Sequence, residues 1–316
     1  MRIHRDLASL PAAARGASVA IGNFDGVHRG HREVIRVAAE HARVLQRELG
    51  VVTFEPHPRE VLSPATAPAR LTPVRRKAEL LRELGVGHLY LCRCDRALLA
   101  TPADTFVERT LLGELDVAAV TTGRDFRFGH RRQGDTALLA SLMAARGRPA
   151  GTVDPVTADG EVCSSTAIRT ALGDGLVEHA NAMLGSAYEL EGIVRRGEGR
   201  GRDLGFPTAN LHPLSARPVL PAVGIYAVDA GLREGDGWRW HPAVAYYGRR
   251  PTFDGRGLLL EVHLLDGGGD LYGQRLRVAF RRHLRGDRSF ATVDELKAQI
   301  ARDCEQARLL HAPIPA

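Results

Sequence analysis

The pattern of strands and helices changes near residue 185, and this change constrains the fold more than any other feature of the sequence. Before it, short apolar strands alternate with helical segments, which indicates βαβ units and a parallel sheet. The predicted strands are 18–22, 51–54, 89–92 and 117–122. Helices are predicted over 30–48, at Thr72-Pro73 with Thr72 as N-cap, and near Thr101-Pro102.

After residue 184 the predicted strands are separated by turns rich in Gly, Pro and Asp. They are 188–194, 224–230, 243–247, 258–265 and 275–280, and a helix over 293–310 closes the chain. Leu276, Val278 and Phe280 recur at every second position, with Arg275, Arg277 and Arg281 among the residues between and beside them, as a half-buried antiparallel strand requires. The sequence therefore predicts an α/β domain with a parallel sheet over 1–185, and a small antiparallel β-barrel with a C-terminal helix over 186–316.

Charge and composition limit the possible partners. The net charge of +6 is spread evenly over both halves, with no basic tail or stripe, so we expect no nucleic-acid partner. No apolar run is long enough to span a membrane and no export signal begins the chain, so we expect a cytoplasmic protein without a membrane partner. Cys92 and Cys94 have neither zinc nor CxxC spacing, and buried, reduced thiols are expected. We expect a monomer or weak homo-oligomer.

A glycine-rich segment, 22–31, follows the first strand and opens a helix. Its sequence is Gly-Asn-Phe-Asp-Gly-Val-His-Arg-Gly-His. Glycines allow close backbone approach to a polyphosphate, and the helix N-terminus supplies N–H groups. His28 and His31 lie three residues apart on one side of the first turn, where they can donate hydrogen bonds to phosphate oxygens. An ordinary glycine-rich turn with surface histidines is the alternative, and the absence of a Lys-Ser/Thr pair excludes a Walker loop.

This segment resembles the HxGH nucleotidylyltransferases, and more narrowly the bifunctional riboflavin kinase/FAD synthetases. Three further segments of the first half match that family in order: Phe-Glu-Pro-His-Pro at 54–58, Gly-Arg-Asp-Phe-Arg-Phe-Gly at 123–129, and Ser-Ser-Thr-Ala-Ile-Arg at 164–169. The resemblance implies a Rossmann-like domain that transfers AMP from ATP to FMN and releases pyrophosphate. Positioning and charge neutralisation, including Mg²⁺, would supply most of the rate.

The predicted adenylyltransferase site combines these segments. Asp125 offers acceptors to sugar or flavin groups. The hydroxyls at 164–166 lie where a helix begins, although capping alone would explain Ser165 and Thr166. His57 is either a flavin or phosphate contact or a rigid loop residue. The predicted catalytic residues are His28 and His31. The predicted ATP and phosphate contacts are Gly22, Asn23, Phe24, Asp25, Gly26, Gly30, Ser164, Ser165, Thr166 and Arg169, and the predicted flavin contacts are His57, Asp125, Phe126 and Phe128.

A second glycine-rich segment, 197–210, lies in the second half. Thr208 and Asn210 are hard oxygen donors two residues apart, so on extended chain they face the same way and suit Mg²⁺ held together with nucleotide phosphates. For 197–202 alone, a mobile hairpin tip is the alternative. The segment is not GxGxxG, which excludes a dinucleotide-binding fingerprint.

This second segment resembles the riboflavin kinase Gly-x-Pro-Thr-Ala-Asn motif, and four later segments match the same family: 221–226, 248–253, 260–263 and 270–273. By that resemblance Glu261 is the general base that takes the proton from the ribityl hydroxyl; an outward polar residue in an alternating strand is the alternative. The predicted phosphate contacts are Gly199, Gly201, Arg202, Gly205 and Pro207, the flavin contacts Arg249 and Arg285, and the metal ligands Thr208 and Asn210.

Two positions depart from the family pattern. Tyr246-Tyr247 stands where the family often has Asn-Ile, and Asp287 stands where it usually has Glu, one methylene longer. Neither removes a proposed catalytic group. The resemblance thus predicts two ATP-dependent steps: phosphorylation of riboflavin to FMN, then adenylylation of FMN to FAD. The alternatives are a chain with one decayed module, and a flavin-sensing or nucleic-acid-binding regulator descended from the enzyme.

Overall fold

The computed structural model describes residues 1–197, 199–235, 237–249, 258–267 and 269–311. The chain divides into two compact units, Met1–Ser165 and Thr166–Ala316. The alternating strands and helices belong to the first unit, and the strands separated by turns belong to the second. The predicted loop 250–253 of the second unit lies outside the described residues.

The first unit is built on a six-stranded parallel sheet in the order β1-β4-β3-β2-β5-β6. Its strands are β1 (Arg2–His4), β2 (Ser18–Ile21), β3 (Leu49–Glu55), β4 (His88–Arg93), β5 (Ala119–Gly123) and β6 (Ala150–Val153); β7 (Thr157–Ala158) and β8 (Glu161–Val162) form a separate hairpin. Its helices are α1 (Arg29–Leu45), α2 (Pro58–Leu62), α3 (Val74–Glu83), α4 (Arg96–Ala100), α5 (Ala103–Thr105), which continues as a π-helix over Phe106–Glu114, and α6 (Thr136–Ala144).

Both faces of this sheet are covered by apolar side chains. Val19 and Ile21 of β2 point into one cluster, together with the π-helix and α6, whereas Ala20 between them points into a second cluster with α1 and α3. All four residues of β2 are buried. A strand buried on both faces reads as a continuous apolar run, which is why the sequence pattern identified the central strands.

The second unit is a closed barrel of six antiparallel strands in the order β10-β13-β12-β11-β14-β9. The strands are β9 (Tyr188–Arg195), β10 (Ala209–Pro213), β11 (Gly224–Glu234), β12 (Gly237–Arg249), β13 (Leu258–Leu264) and β14 (Arg275–Arg285). The helices are α7 (Ser165–Gly173), which begins at the unit boundary, α8 (Val177–Leu184), α9 (Arg200–Asp203) and α10 (Val293–His311). The predicted fold class is confirmed in both halves.

Helices α8 and α10 pack against the barrel. Asn181 of α8 donates from its amide nitrogen to the Phe280 carbonyl at 2.8 Å. Cys304 and Ala307 of α10 are buried in one apolar cluster with Val244 of β12. Closure of the sheet removes exposed strand edges, and α10 covers part of its outer face.

The prediction of Thr72 as a helix cap is wrong. Helix α3 begins at Val74 with Pro73 as its N-cap residue, and no side chain caps it. The Thr72 hydroxyl instead accepts a hydrogen bond from the Gly26 N–H at 2.9 Å. A tertiary contact with the first glycine-rich loop therefore takes the group that local sequence assigned to the helix. The prediction of buried, reduced thiols is confirmed, since all four cysteines are free and buried.

Candidate active sites

The strand order brings two predicted segments to one place in the first unit. Strand β2 pairs with β3 on one side and with β5 on the other, so the order of the sheet reverses at β2. In an open parallel sheet, ligands bind beyond the carboxyl ends of the strands at such a switch point. The segments 22–31 and 123–129 follow β2 and β5, so they lie on either side of this crevice.

Asp25 fixes the first loop from within the protein. Its carboxylate is buried and accepts hydrogen bonds from the N–H groups of Leu71 and Thr72 at 3.2 and 3.0 Å. This carboxylate was predicted as a phosphate-site residue, and the structure gives it the role of joining the loop to the segment before α3.

Two residues of the same loop have positive backbone φ angles, which are uncommon outside glycine. Phe24 and Val27 have φ angles of 49° and 43°, and Val27 is β-branched, for which the left-handed region is a strained conformation. Both side chains are buried in the core beneath the loop. Phe24, predicted at the phosphate site, thus contributes its ring to the core, where its centroid lies 5.1 Å from the His31 ring centroid.

His28 and His31 are brought together at the start of α1. His28 is the N-cap residue, and its Nδ1 accepts a hydrogen bond from the His31 N–H at 3.3 Å. The two rings stack with centroids 3.6 Å apart. Because Nδ1 of His28 acts as an acceptor, the proton of the neutral ring is on Nε2, which is then a donor for an anion.

Burial lowers the pKa of His31 well below its usual value, and His28 and Lys77 nearby lower it further. His31 is therefore neutral at physiological pH. Its Nδ1 is buried without a hydrogen-bond partner among the described residues. A neutral imidazole can still donate one hydrogen bond to a phosphate oxygen without the cost of burying a charge.

Lys77 contacts the first glycine-rich loop, and it was not predicted from the sequence as a residue of this site. It lies on α3, is almost fully buried, and donates from Nζ to the Asn23 carbonyl at 2.7 Å. Burial lowers the pKa of Lys77 to about 8, an effect that the Asp25 carboxylate partly offsets. Only two lysines occur in the chain, and this scarcity was the one sequence signal that could have drawn attention to it.

The segment before α7 approaches the same loop. The Ser165 hydroxyl donates to the Asp25 carbonyl at 2.8 Å. A side chain on Gly30 would press on both the His28 ring and the Cys163 carbonyl, so glycine permits this approach. Ser164 and Ser165 are half-buried beside the loop; Thr166 and Arg169 lie on α7 in the second unit, exposed and half-buried respectively.

Four phenylalanines form a continuous aromatic cluster, defined here as Phe54, Phe106, Phe126 and Phe128. By ring centroids, Phe126 stacks on Phe128 at 5.5 Å, Phe128 contacts Phe106 at 5.9 Å, and Phe106 contacts Phe54 at 6.2 Å. The aromatic cluster joins the loop after β5 to the end of β3. Phe106 was not predicted at this site, because it belongs to the π-helix and carries no motif.

The other predicted flavin contacts differ in exposure. Asp125 is exposed on the loop after β5. His57 is buried and caps α2, its Nδ1 accepting from the Arg59 N–H at 3.1 Å. His57 therefore has a structural role in the loop, and its Nε2 is the protonated nitrogen of the neutral ring.

In the second unit the glycine-rich loop forms a compact turn around α9. Gly199 and Gly205 have φ angles of 79° and 89°, which disfavour any other residue. The Phe206 N–H donates to the Gly201 carbonyl at 2.8 Å and closes the turn. Arg202 and Pro207 are exposed on this turn.

Asn210 and Glu261 lie directly opposite each other on the neighbouring antiparallel strands β10 and β13. Side chains at such positions lie on the same face with Cβ atoms roughly 5 Å apart. Asn210 is buried and Glu261 half-buried. The barrel thus brings together a predicted metal ligand and the predicted base, which are far apart in sequence.

Glycines leave room around the predicted metal ligands. A side chain on Gly197 would overlap the amide of Asn210, and one on Gly201 would lie 3.0 Å from the Thr208 hydroxyl. Thr208 is half-buried. The loop backbone therefore covers both oxygen donors closely.

His263 connects the loop to β13; it belongs to one of the matched family segments, and the sequence predicted no role for it. Its Nδ1 donates to the Pro207 carbonyl at 2.8 Å, and its ring meets Phe206 edge-on, with centroids 5.6 Å apart. Since a carbonyl only accepts, the proton of this ring is on Nδ1. His263 fixes the end of the loop two residues from Glu261.

Arg285 is held by the C-terminal helix. Its guanidinium donates to the buried carboxylate of Asp303 on α10 at 2.7 and 3.1 Å. This predicted flavin contact thus anchors the end of β14. Of Arg249, the other predicted flavin contact, the structure describes only the backbone at the end of β12.

Comparisons with known proteins agree with this arrangement. Residues 10–167 match the family model described as FAD synthetase, and residues 184–311 match the one described as riboflavin kinase. A bifunctional riboflavin kinase/FMN adenylyltransferase from Escherichia coli (strain K12) is 42% identical over 310 residues, covering 98% of this chain and 97% of the relative. The chain belongs to the bifunctional riboflavin kinase/FMN adenylyltransferase family.

The enzyme has similar relatives in other bacteria. The protein of that name from Pseudomonas fluorescens is 40% identical, with 99% of each chain covered, and that from Bacillus subtilis (strain 168) is 34% identical, with 92% of this chain and 90% of the relative covered. A solved structure described as a macrolide-efflux protein from Streptococcus pneumoniae has the same fold, with a TM-score of 0.87, 30% identity, and 97% and 98% coverage.

The enzyme is thus a riboflavin kinase and an FMN adenylyltransferase that uses ATP, as the two resemblances predicted. Its first unit is here called the adenylyltransferase unit and its second the kinase unit. None of the helices in the described part of the chain is long and apolar enough to cross a membrane.

Proposed function

We propose that Glu261 is the general base of the kinase reaction, in which the terminal ribityl hydroxyl of riboflavin attacks the γ-phosphorus of ATP in line. The observation that carries this assignment is the cross-strand pairing of Glu261 with Asn210. The carboxylate accepts the hydroxyl proton as the new P–O bond forms, and ADP leaves. The glycine-rich turn around α9 covers the phosphates through its N–H groups.

The residues at this site suit Mg²⁺. The Thr208 hydroxyl and the Asn210 amide oxygen are hard donors, and the glycines that cover them leave space that a side chain would fill. Among the described residues no group of three or more His, Cys, Asp or Glu side chains forms a metal cage. Mg²⁺ is commonly bound by one or two protein ligands, with nucleotide phosphates and water as the others. When bound here, it would neutralise phosphate charge.

For the adenylyltransferase unit we propose that His28 and His31 stabilise the charge that develops as an FMN phosphate oxygen attacks the α-phosphorus of ATP. The new P–O bond replaces the bond to pyrophosphate, which leaves, and no covalent enzyme intermediate is needed. The support is the stacked pair of rings at the N-terminus of α1, with a proton on Nε2 of His28. Hydrogen bonds and the helix N-terminus favour the negative charge.

The aromatic cluster is proposed as the wall against which the flavin ring of FMN lies. Phe126 is half-buried at its outer end, whereas Phe128 is buried. Rings that stack and tilt against one another are held in place by their neighbours, and a planar ligand gains from such a rigid surface. Asp125, exposed two residues after the end of β5, supplies acceptors.

The functional boundary near residue 185 is also a proposal. It is supported by the riboflavin kinase match, which begins at residue 184, and by the start of β9 at Tyr188. The division by contacts falls earlier, after Ser165, because helix α8 packs on the barrel. A monomer or weak homo-oligomer and the absence of a nucleic-acid partner stay predictions.

One time course tests the proposed reactions together. The purified protein is incubated with riboflavin and ATP, with Mg²⁺ or with EDTA, and the flavins are separated by chromatography. We expect FMN first and FAD after it, with both steps lost in EDTA. FAD formed with no FMN preceding it, or full activity in EDTA, would contradict the proposal.

A further inference from the structure

Tyr246 lies between the two ends of the proposed kinase site. It is directly opposite Glu261 of β13 on one side and Ile225 of β11 on the other, and Ile225 in turn is opposite Arg285 of β14. Because cross-strand neighbours share a face, Asn210, Glu261, Tyr246, Ile225 and Arg285 form one row across the barrel. Tyr246 is therefore one of the two cross-strand neighbours of the proposed base, and Asn210 is the other.

The orientation of the Tyr246 ring is fixed at its hydroxyl. This hydroxyl donates a hydrogen bond to Oδ2 of Asp287 at 3.1 Å. Oδ1 of Asp287 accepts from the Arg288 N–H at 2.9 Å. The adjacent Arg285 is held by the buried Asp303 of α10, so the acceptor stands on a segment anchored to the helix.

Gly248 leaves the space that the Tyr246 ring occupies. It follows Tyr246 by two residues on β12, on the same face, and any side chain there would overlap the phenol end of Tyr246. The ring therefore lies along the strand, over Gly248. Burial, together with the hydrogen bond to Asp287, raises the pKa of Tyr246 to about 12, so the phenol keeps its proton and remains a donor at physiological pH.

We propose that Tyr246 is a substrate-positioning residue of the kinase site, which holds the ribityl chain of riboflavin beside Glu261, and that Asp287 fixes it in place. The inference rests on the proposed role of Glu261. Asn210, on one side of Glu261, belongs to the proposed metal and phosphate site, so the ribityl carbons of a riboflavin whose terminal hydroxyl reaches Glu261 would lie on the other side, beside Tyr246. A ring fixed by a charged acceptor limits the positions those carbons can take.

The structure also connects the two departures from the family pattern. Tyr246 and Asp287 are 41 residues apart in sequence, yet they form one hydrogen bond. Tyr246 is larger than the Asn that the family often has, and Asp287 is shorter than the usual Glu. The longer side chain at 246 thus reaches the shorter carboxylate at 287. The two positions therefore act as one unit in this chain.

The test is a double-mutant cycle on the full chain with Tyr246→Phe, Asp287→Ala and the double variant, assayed for riboflavin phosphorylation at varied riboflavin and varied ATP. Each single variant is expected to raise the riboflavin KM about twofold to tenfold, with the ATP KM within about twofold, since loss of a typical intramolecular hydrogen bond has an effect of this size. The double variant should be no worse than the singles. Asp287→Asn, which keeps an acceptor, should lose less than Asp287→Ala.

Asp266→Ala is the matched control, because Asp266 is an exposed aspartate in the turn after β13. Circular dichroism and thermal unfolding of every full-length variant verify folding. Three results would overturn the proposal. They are effects that add in the double variant, a change confined to the ATP KM, and a riboflavin KM unchanged in Tyr246→Phe and Asp287→Ala. Failure of Glu261 as the base would appear separately, as a wild-type kcat retained in Glu261→Gln.

Discussion

Asn210 and Glu261 face each other across β10 and β13, so a predicted metal ligand and the proposed base share one face of the barrel. In the proposed reaction, the metal-bound phosphates and the attacking hydroxyl would meet on this face. Phosphoryl transfer depends mainly on positioning and charge neutralisation. The paired strands would supply the positioning, and Mg²⁺, when bound, the neutralisation.

Replacing Asn210 should change the Mg²⁺ requirement of the kinase step. Asn210→Ala removes one hard oxygen donor, and we expect the Mg²⁺ concentration for half-maximal riboflavin phosphorylation to rise at least about tenfold. Asn210→Asp keeps an oxygen at that position and should retain more activity at high Mg²⁺. Titration of Mg²⁺ at saturating riboflavin measures both; an unchanged Mg²⁺ midpoint in Asn210→Ala would exclude Asn210 as a ligand.

Gly197→Ala should impair the same step without touching a charged group. The added methyl group overlaps the Asn210 amide and must displace it or the loop. A misplacement of this kind is expected to lower kcat of riboflavin phosphorylation by about tenfold to a hundredfold. Gly237→Ala is the control, because that glycine is exposed at the start of β12, where a methyl group would make only an ordinary 3.7 Å contact with the Glu234 carbonyl. Equal activity of the two variants would show that the close approach is unimportant.

Lys77→Met should change how stability depends on pH. The pKa of Lys77 is about 8 in the folded chain and about 10.4 in the unfolded chain, so between these values the unfolded chain binds more protons. The contribution of Lys77 to the free energy of unfolding therefore rises with pH in this window and is least favourable below pH 8. Relative to Lys77→Met, the wild type should gain roughly 1.5 kcal/mol between about pH 8 and 9.5.

Urea unfolding of both proteins at about pH 7.5, 8.5 and 9.5 measures this difference. A difference that is flat or falls with pH would show that Lys77 is not buried with a lowered pKa. Because Lys77 also holds the Asn23 carbonyl, the variant should in addition raise the ATP KM of FMN adenylylation.

Phe126→Leu should weaken FMN binding in the adenylylation step alone. Leucine keeps an apolar side chain but loses the stacked ring, and aromatic pairs contribute about 0.5–1.5 kcal/mol beyond their buried area, which corresponds to a rise in the FMN KM of about twofold to tenfold. The riboflavin KM of the kinase step in the same protein is the internal reference. An unchanged FMN KM would remove Phe126 from the proposed flavin wall.

Much of the fold was predictable because its signals are local. Continuous apolar runs identified β2 to β5, and alternation identified β14, which extends beyond the predicted Phe280 to Arg285. The edge strands β1 and β6 were missed: they are short and not fully buried, so they carry no clear apolar pattern.

Motifs in the sequence named most residues of the candidate sites, which stay predictions, whereas contacts that form only in three dimensions gave no local signal. The pairing of Asn210 with Glu261 depends on β10 lying beside β13, which no local pattern reports. Lys77 lies on α3 and Phe106 on the π-helix; both contact site residues, and neither belongs to a motif. Thr72 was assigned to a helix cap because the competing contact with Gly26 lies far away in sequence.

The division of labour between the two units is tested most directly by two substitutions assayed for each step separately. His28→Ala and Glu261→Gln are each given riboflavin with ATP and Mg²⁺, and then FMN with ATP and Mg²⁺. We predict that His28→Ala converts riboflavin to FMN but forms no FAD, whereas Glu261→Gln converts supplied FMN to FAD but loses at least about a hundredfold in riboflavin phosphorylation. Loss of both steps from either substitution in a folded chain would contradict the account.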